Sequence, residues 1–109
     1  MMPTEAPQQL WNPPQTQLLA KTLRAMAHPV RLSIINMLQE GKKMTVTEIY
    51  TSLDADQSAI SHHLGIMRDR GILRNERDGK YIYYSLAGPE YMSVLEYLKG
   101  LQKDGTYLN

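Results

Sequence analysis

Residues 45–70, TVTEIYTSLDADQSAISHHLGIMRDR, constrain the fold more than any other stretch of the chain. Thr45 and Glu48 stand at the spacing of a capping box, in which each side chain satisfies a backbone N–H at the other's position. That predicts a short helix from about Val46 to Leu53. Asp-Ala-Asp at 54–56 makes a tight turn, and Asp56 caps a second helix from Gln57 to about Arg70. Two helices joined so closely, the second well capped, form a helix-turn-helix pattern.

The flanking sequence supplies the rest of a small domain. Asn12 is a cap and Pro13 suits the first turn of a helix whose apolar stripe is Leu19, Leu23 and Met26. A second helix starts at Pro29 and stops at Gly41. Val30, Ile34, Met37 and Leu38 line one face and Leu32 and Ile35 widen it, so it is a central helix. After Gly71, ILRNERDGKYIYYSL predicts two strands around Asp78-Gly79, with the aromatic and β-branched run Tyr81–Tyr84 in the second. The last helix has Pro89 in its first turn and carries Tyr91, Val94, Leu95, Leu98 and Leu101 on one side. The expected fold is mainly α with a small β-hairpin: a winged helix-turn-helix. It occupies residues 15–104, between a flexible N-terminal arm (1–14, with four of the six prolines) and a short tail (105–109). A core this small gains stability by burying a further apolar face against a second copy.

Composition closes off several chemistries. The chain has no cysteine, which excludes disulfides, thiolate metal sites and a cysteine nucleophile. No apolar run is long enough to span a bilayer and the N-terminus lacks a signal pattern, so a cytoplasmic protein is expected. No nucleophile has a base at recognisable spacing and no glycine-rich phosphate loop is present, so no enzyme is expected. Net charge is +1, but residues 21–84 carry ten Lys and Arg against seven Asp and Glu.

The adjacent histidines of the second capped helix decide between a metal site, a nucleic-acid contact and simple packing. At about 100° per residue, Ile60, Leu64 and Met67 fall together and face the core. His62 lies opposite them with Ser58, Gly65 and Asp69, while His63 falls at the border of the buried stripe. Neighbouring imidazoles on a helix point apart, and a zinc pair wants i, i+4 spacing, so the pair does not chelate. His63 reads as partly buried and hydrogen-bonded to nearby backbone. His62 shares an outward face with Ser58, edged by Gln57 and Ser61; these short polar side chains suit base edges in a major groove, the alternative being an exposed face without a task. Lys42, Lys43, Arg68, Arg74, Arg77 and Lys80 lie where they can hold phosphates. Asp69, Glu76 and Asp78 dilute this patch. The partner these residues point to is double-stranded DNA. Tyr81 and Tyr83, on one face of the strand, leave RNA stacking open as a lesser alternative.

The stretches LRAMAHPVRLSIINML, TVTEIYTSLDADQSAISHHLGIMRDRGIL and RNERDGKYIYYSL together resemble the ArsR/SmtB family of bacterial winged-helix repressors, over about residues 23–86. The resemblance implies a homodimer formed by the first and last helices, which places Leu19, Leu23, Tyr91, Val94, Leu95 and Leu98 at its interface. It implies repression by occupying an imperfect inverted repeat. By motif position, Gln57, Ser58, Ser61 and His62 enter the major groove and Arg77 and nearby wing residues meet the backbone or minor groove.

The chain departs from the family's sensing sites. Thr45-Val46-Thr47 stands where arsenic-sensing members have Cys-Val-Cys, and hydroxyls do not bind soft metals. The last helix offers Glu90 and Glu96, with Asp104 beyond, but no histidine, so no metal and no cofactor is expected. Met26, Met37 and Met67 have core spacing. An effector of unidentified chemistry is left open; Tyr91 and Tyr97 could line a pocket for it or simply pack. The competing function is a winged-helix protein-interaction module without base readout.

Overall fold

The computed structural model describes residues 12–103. Helix α1 spans Pro13–Met26, with Asn12 as its N-cap and two prolines in its first turn. The Asn12 side chain accepts the Gln15 N–H at 3.0 Å. The expected boundary at residue 14 therefore moves: Pro13 and Pro14 are helical, since neither needs a backbone N–H there. Residues 1–11 of the expected arm, Trp11 included, and the tail lie outside the described residues.

Helix α2 spans Pro29–Met37 and is followed by a 3-10 turn, Gln39–Gly41, instead of running on to Gly41. The helix is capped at Leu38, and the left-handed backbone of Glu40 (φ 60°) and Gly41 (φ 74°) keeps it from resuming. Strand β1 (Met44–Thr45), α3 (Val46–Ser52), α4 (Gln57–Asp69), β2 (Leu73–Asp78), β3 (Tyr81–Leu86) and α5 (Glu90–Lys103) complete the order. Pro89 stands one residue ahead of α5, its carbonyl accepting the Ser93 N–H at 3.1 Å. The sheet is antiparallel in the order β1-β3-β2. The hairpin thus gains a third strand, paired Met44↔Tyr84 and Thr45↔Tyr83. Two residues are too few to leave a strand alternation in sequence.

The hairpin turn sits one residue further along than the Asp-Gly pair suggests. Asp78 pairs with Tyr81, which makes Gly79-Lys80 the two-residue loop. Gly79 has φ 66° and Lys80 does not share the left-handed region. A lone positive φ at the first loop position is the pattern of a type II′ turn, which glycine supplies without strain.

Ile34, Ile35 and Leu38 from α2 and its cap, Ile49 from α3, Ile60, Leu64 and Met67 from α4, and Ile72 are fully buried together. Met26 is buried beside them, whereas Met37 is only half-buried against this cluster. The stripe expected on α5 divides. Leu95 is 8% exposed and belongs to the protomer's own core. Tyr91 is half-buried and its hydroxyl donates to the Gly71 carbonyl at 3.3 Å. Val94, Tyr97 and Leu98 stay exposed, as do Leu18, Leu19 and Leu23 on α1. Lys99 fastens α5 to α2 by donating to Asn36 Oδ1 at 3.3 Å.

Leu64 is completely enclosed where α4 meets the core. Leu64→Ala should lower unfolding stability by about 2–5 kcal/mol through lost burial plus the cavity left behind. Urea unfolding at fixed protein concentration measures this; a loss below about 1 kcal/mol would mean that α4 is not anchored by this stripe.

Candidate nucleic-acid interface

Two caps set the geometry of the helix-turn-helix. Thr45 and Glu48 form the full capping box: Thr45 Oγ1 accepts the Glu48 N–H at 3.2 Å and Glu48 Oε1 accepts the Thr45 N–H at 2.9 Å. Asp54 turns the chain with φ 50°. Asp56 then caps α4, its carboxylate accepting the Ala59 N–H at 3.1 Å and the Ser58 hydroxyl proton. The Ser58 hydroxyl first, and the Ala59 N–H second, hold the Asp56 carboxyl below the ordinary aspartate range. This gives Ser58 a local task that spacing alone did not disclose. Its proton is committed to the cap, and only its oxygen lone pairs face outward.

With Ile60, Leu64 and Met67 buried, the opposite side of α4 is polar and open. Gln57, Ser58, Ser61 and His62 are all exposed there. Gly65 shares this side, and a Cβ added to it would meet nothing within 4 Å. Glycine inside a helix costs about 1 kcal/mol relative to alanine. Packing within the protomer does not require it.

The expected phosphate-binding residues are not equivalent. Lys43 pairs with Glu76 of β2, both side chains more than half exposed, and this cation first of all holds the Glu76 carboxyl below its usual range. Arg68 lies 3.3 Å from Asp69. Lys42, Arg74, Arg77 and Lys80 make no ion pair among the described residues. Arg77 and Lys80 flank the wing tip, with Lys80 Nζ 5.5 Å from the Tyr81 ring centroid. The Lys43–Glu76 pair clips the segment ahead of α3 to the wing.

The three histidines converge, although not on a metal. His63 packs its ring 4.5 Å from that of His28, and His62 lies 5.9 Å from His63. His28 Nδ1 caps α2 by accepting the Val30 N–H at 3.1 Å. Histidine is not a usual capping residue, so His28-Pro29 announced only its proline. The polar partner of His63 is also different from the one expected. It is the Arg31 guanidinium, 3.5 Å from Nδ1, not nearby backbone. Burial, and then the positive charges of His28, Arg31 and His62, push the His63 imidazole below its ordinary pKa. Among the described residues no group of three His, Asp or Glu is placed to hold a metal ion.

A capped helix-turn-helix, an outward polar face and a cation-tipped hairpin define a winged helix-turn-helix DNA-binding domain. The chain belongs to the arsR family of bacterial regulatory proteins, whose family model matches residues 28–75. It is 40% identical over 83 residues to the transcriptional repressor PagR of Bacillus anthracis, covering 76% of this chain and 83% of PagR. The crystal structure of PagR superposes with a TM-score of 0.69 at 38% identity, over 77% of this chain and 95% of that one. The HTH-type transcriptional regulator YgaV of Escherichia coli is 34% identical over 82 residues, 75% of this chain and 83% of YgaV. A homodimeric winged helix-turn-helix domain from Mycobacterium bovis shares the fold, with a TM-score of 0.75 at 21% identity over 87% of this chain and 85% of that one. The protein is therefore a DNA-binding transcriptional regulator of the repressor type and not an enzyme.

The lowered pKa of His63 carries a sign. A histidine harder to protonate when folded contributes stability above its unfolded pKa of about 6.5, and that contribution is lost as pH falls from this value through the lower folded one. Wild-type protein should lose stability between pH 7 and pH 5, and His63→Gln should lose less over the same interval. Thermal unfolding across that range makes the comparison; parallel curves would show that His63 titrates alike in both states.

Proposed function

We propose that the protein represses transcription as a homodimer on an imperfect inverted repeat, and that it does so without a metal ion. Its α4 lies in the major groove, with Gln57, Ser61 and His62 facing base edges and Ser58 available as an acceptor. Gln suits adenine and serine either kind of base. Arg77 and Lys80 meet phosphates, helped by Lys42, Arg68 and Arg74, and these contacts position the protein without reading sequence. Lys43 contributes mainly through its clip to Glu76.

One observation carries this reading. Every side chain on the outward side of α4 from Gln57 to His62 is small or polar and exposed, and the neighbouring wing ends in two cations without acidic partners among the described residues. Gly65 supports it, since a missing side chain there lets another surface approach the helix closely. For the dimer, exposed Leu19 and Leu23 on α1 and Val94 and Leu98 on α5 supply apolar faces. Tyr97 joins them, and Leu95 and Tyr91 support the face from beneath. Such a regulator acts in the cytoplasm, where its operator lies. Thr45 Oγ1 is already engaged in the capping box. That supports a helix start that serves structure and not metal sensing.

Fluorescence anisotropy of duplex from the gene's upstream region, titrated at several salt concentrations with and without chelator, tests the whole proposal. Tight, salt-sensitive binding that ignores chelator is expected, and binding no better than to random duplex would sink it. Replacing Arg77 and Lys80 together by Ala should weaken binding to all duplexes and lower the salt slope by about two units or less. A loss confined to one sequence would contradict the phosphate role. Gly65→Ala should raise stability by about 1 kcal/mol while weakening operator binding. If both rise or operator binding is untouched, α4 does not seat closely against its partner.

A further inference from the structure

We infer that Lys21, Arg24, Arg31 and Arg70 form a binding site for a small, multiply charged oxyanion of the phosphate class, separate from the DNA-reading face. The four side chains line one shallow depression of about 260 Å³ whose remaining walls are Ala25 and Ile66. Lys21 and Arg24 come from α1, Arg31 from α2, and Arg70 from the C-cap of α4. Among the described residues no acidic side chain lines the depression. None of the four cations makes an ion pair among the described residues. In a chain whose net charge is only +1, this concentration of unpaired positive charge is local.

Arg31 supplies the second, independent observation. It is half-buried, and its Nε is sealed from solvent with no hydrogen-bond partner. A buried donor without an acceptor is destabilising, more so when it carries charge. Its Nη1 reaches only His63, at 3.5 Å. An oxyanion in the depression gives the Arg31 guanidinium an acceptor, and Nε joins it once the side chain turns that edge outward. Guanidinium forks match the oxygen spacing of phosphate and donate two parallel hydrogen bonds. Four cations also favour a dianion or trianion over a single carboxylate, which would leave most of their mutual repulsion in place.

The position separates this site from the base-reading start of α4 and from the Leu19 and Leu23 stripe of α1. Arg70 lies nine residues beyond Ser61, about 13 Å along the helix axis at about 1.5 Å per residue. On α1, Lys21 and Arg24 fall about 150° round from Leu19 and Leu23 at about 100° per residue. The apolar stripe can therefore meet a second copy while the cationic flank stays open. Because its walls belong to α1, α2 and the end of α4, a bound anion clamps the reading helix to the two helices behind it.

Inorganic pyrophosphate is the probe, titrated into isotope-labelled full-length protein at constant ionic strength and pH and followed by NMR. Saturable shifts are expected in residues 20–32 and 66–72 and at an arginine Nε–H. Arg24→Gln combined with Arg70→Gln, both exposed side chains, should weaken pyrophosphate binding at least about tenfold with an unchanged circular dichroism melt. Absence of saturation, or equal shifts at Arg77 and Lys80, would overturn the site. So would a double variant that loses affinity for every duplex with a smaller salt slope while pyrophosphate fails to saturate, because the cations would then serve the DNA backbone. Wild-type protein that saturates with pyrophosphate but binds no duplex supports the site and removes the operator reading instead.

Discussion

The seating of Ile60, Leu64 and Met67 in the core is the constraint on which the rest of the molecule depends. These three positions recur on one side of α4 and are completely enclosed. Once they face inward, helical geometry leaves the opposite side no choice but solvent. Gln57, Ser61 and His62 are presented because of what lies behind them. The caps refine this arrangement without creating it. Asp56 sets where α4 begins, and the box of Thr45 and Glu48 sets where α3 begins.

Periodicity and capping made most of this legible from sequence. The capping box, the Asp56 cap, the buried stripe and the wing strands all announce themselves within a few residues, because each is a local pattern with a local cause. The features that escaped are contacts between residues distant along the chain. Lys43 is held by Glu76, thirty-three positions away, and His63 meets Arg31 across thirty-two. No local pattern encodes such meetings. The strand Met44–Thr45 escaped for a different reason, being too short to alternate. The hairpin turn moved because Asp-Gly and Gly-Lys are both acceptable turns, and the ladder register decides between them. Leu95 and Tyr91 have stripe spacing, but a stripe has two edges, and only its outer edge is free for a second copy.

The charge distribution follows the same division between local and assembled. Summed over the chain, charge is nearly balanced. In three dimensions some cations are neutralised by acidic neighbours, as Lys43, Arg68 and Lys99 are. Others collect without acidic partners among the described residues, at the wing tip and in the depression between α1, α2 and the end of α4. Exposed ion pairs of this kind add little stability, typically under about 1 kcal/mol. Their effect is to decide which positive charges remain available to bind something else.

Thr45 is at once the last residue of β1 and the N-cap of α3. Through it, β3 of the wing is joined by main-chain pairing to the first residue of the helix-turn-helix, with no linker between them. A hinge needs residues whose dihedral angles can change cheaply, and none is available at this junction. At Thr45, a shift of the wing strand is therefore passed directly to the start of α3, while the freer backbone lies on either side of α4, at Asp54 and Gly71.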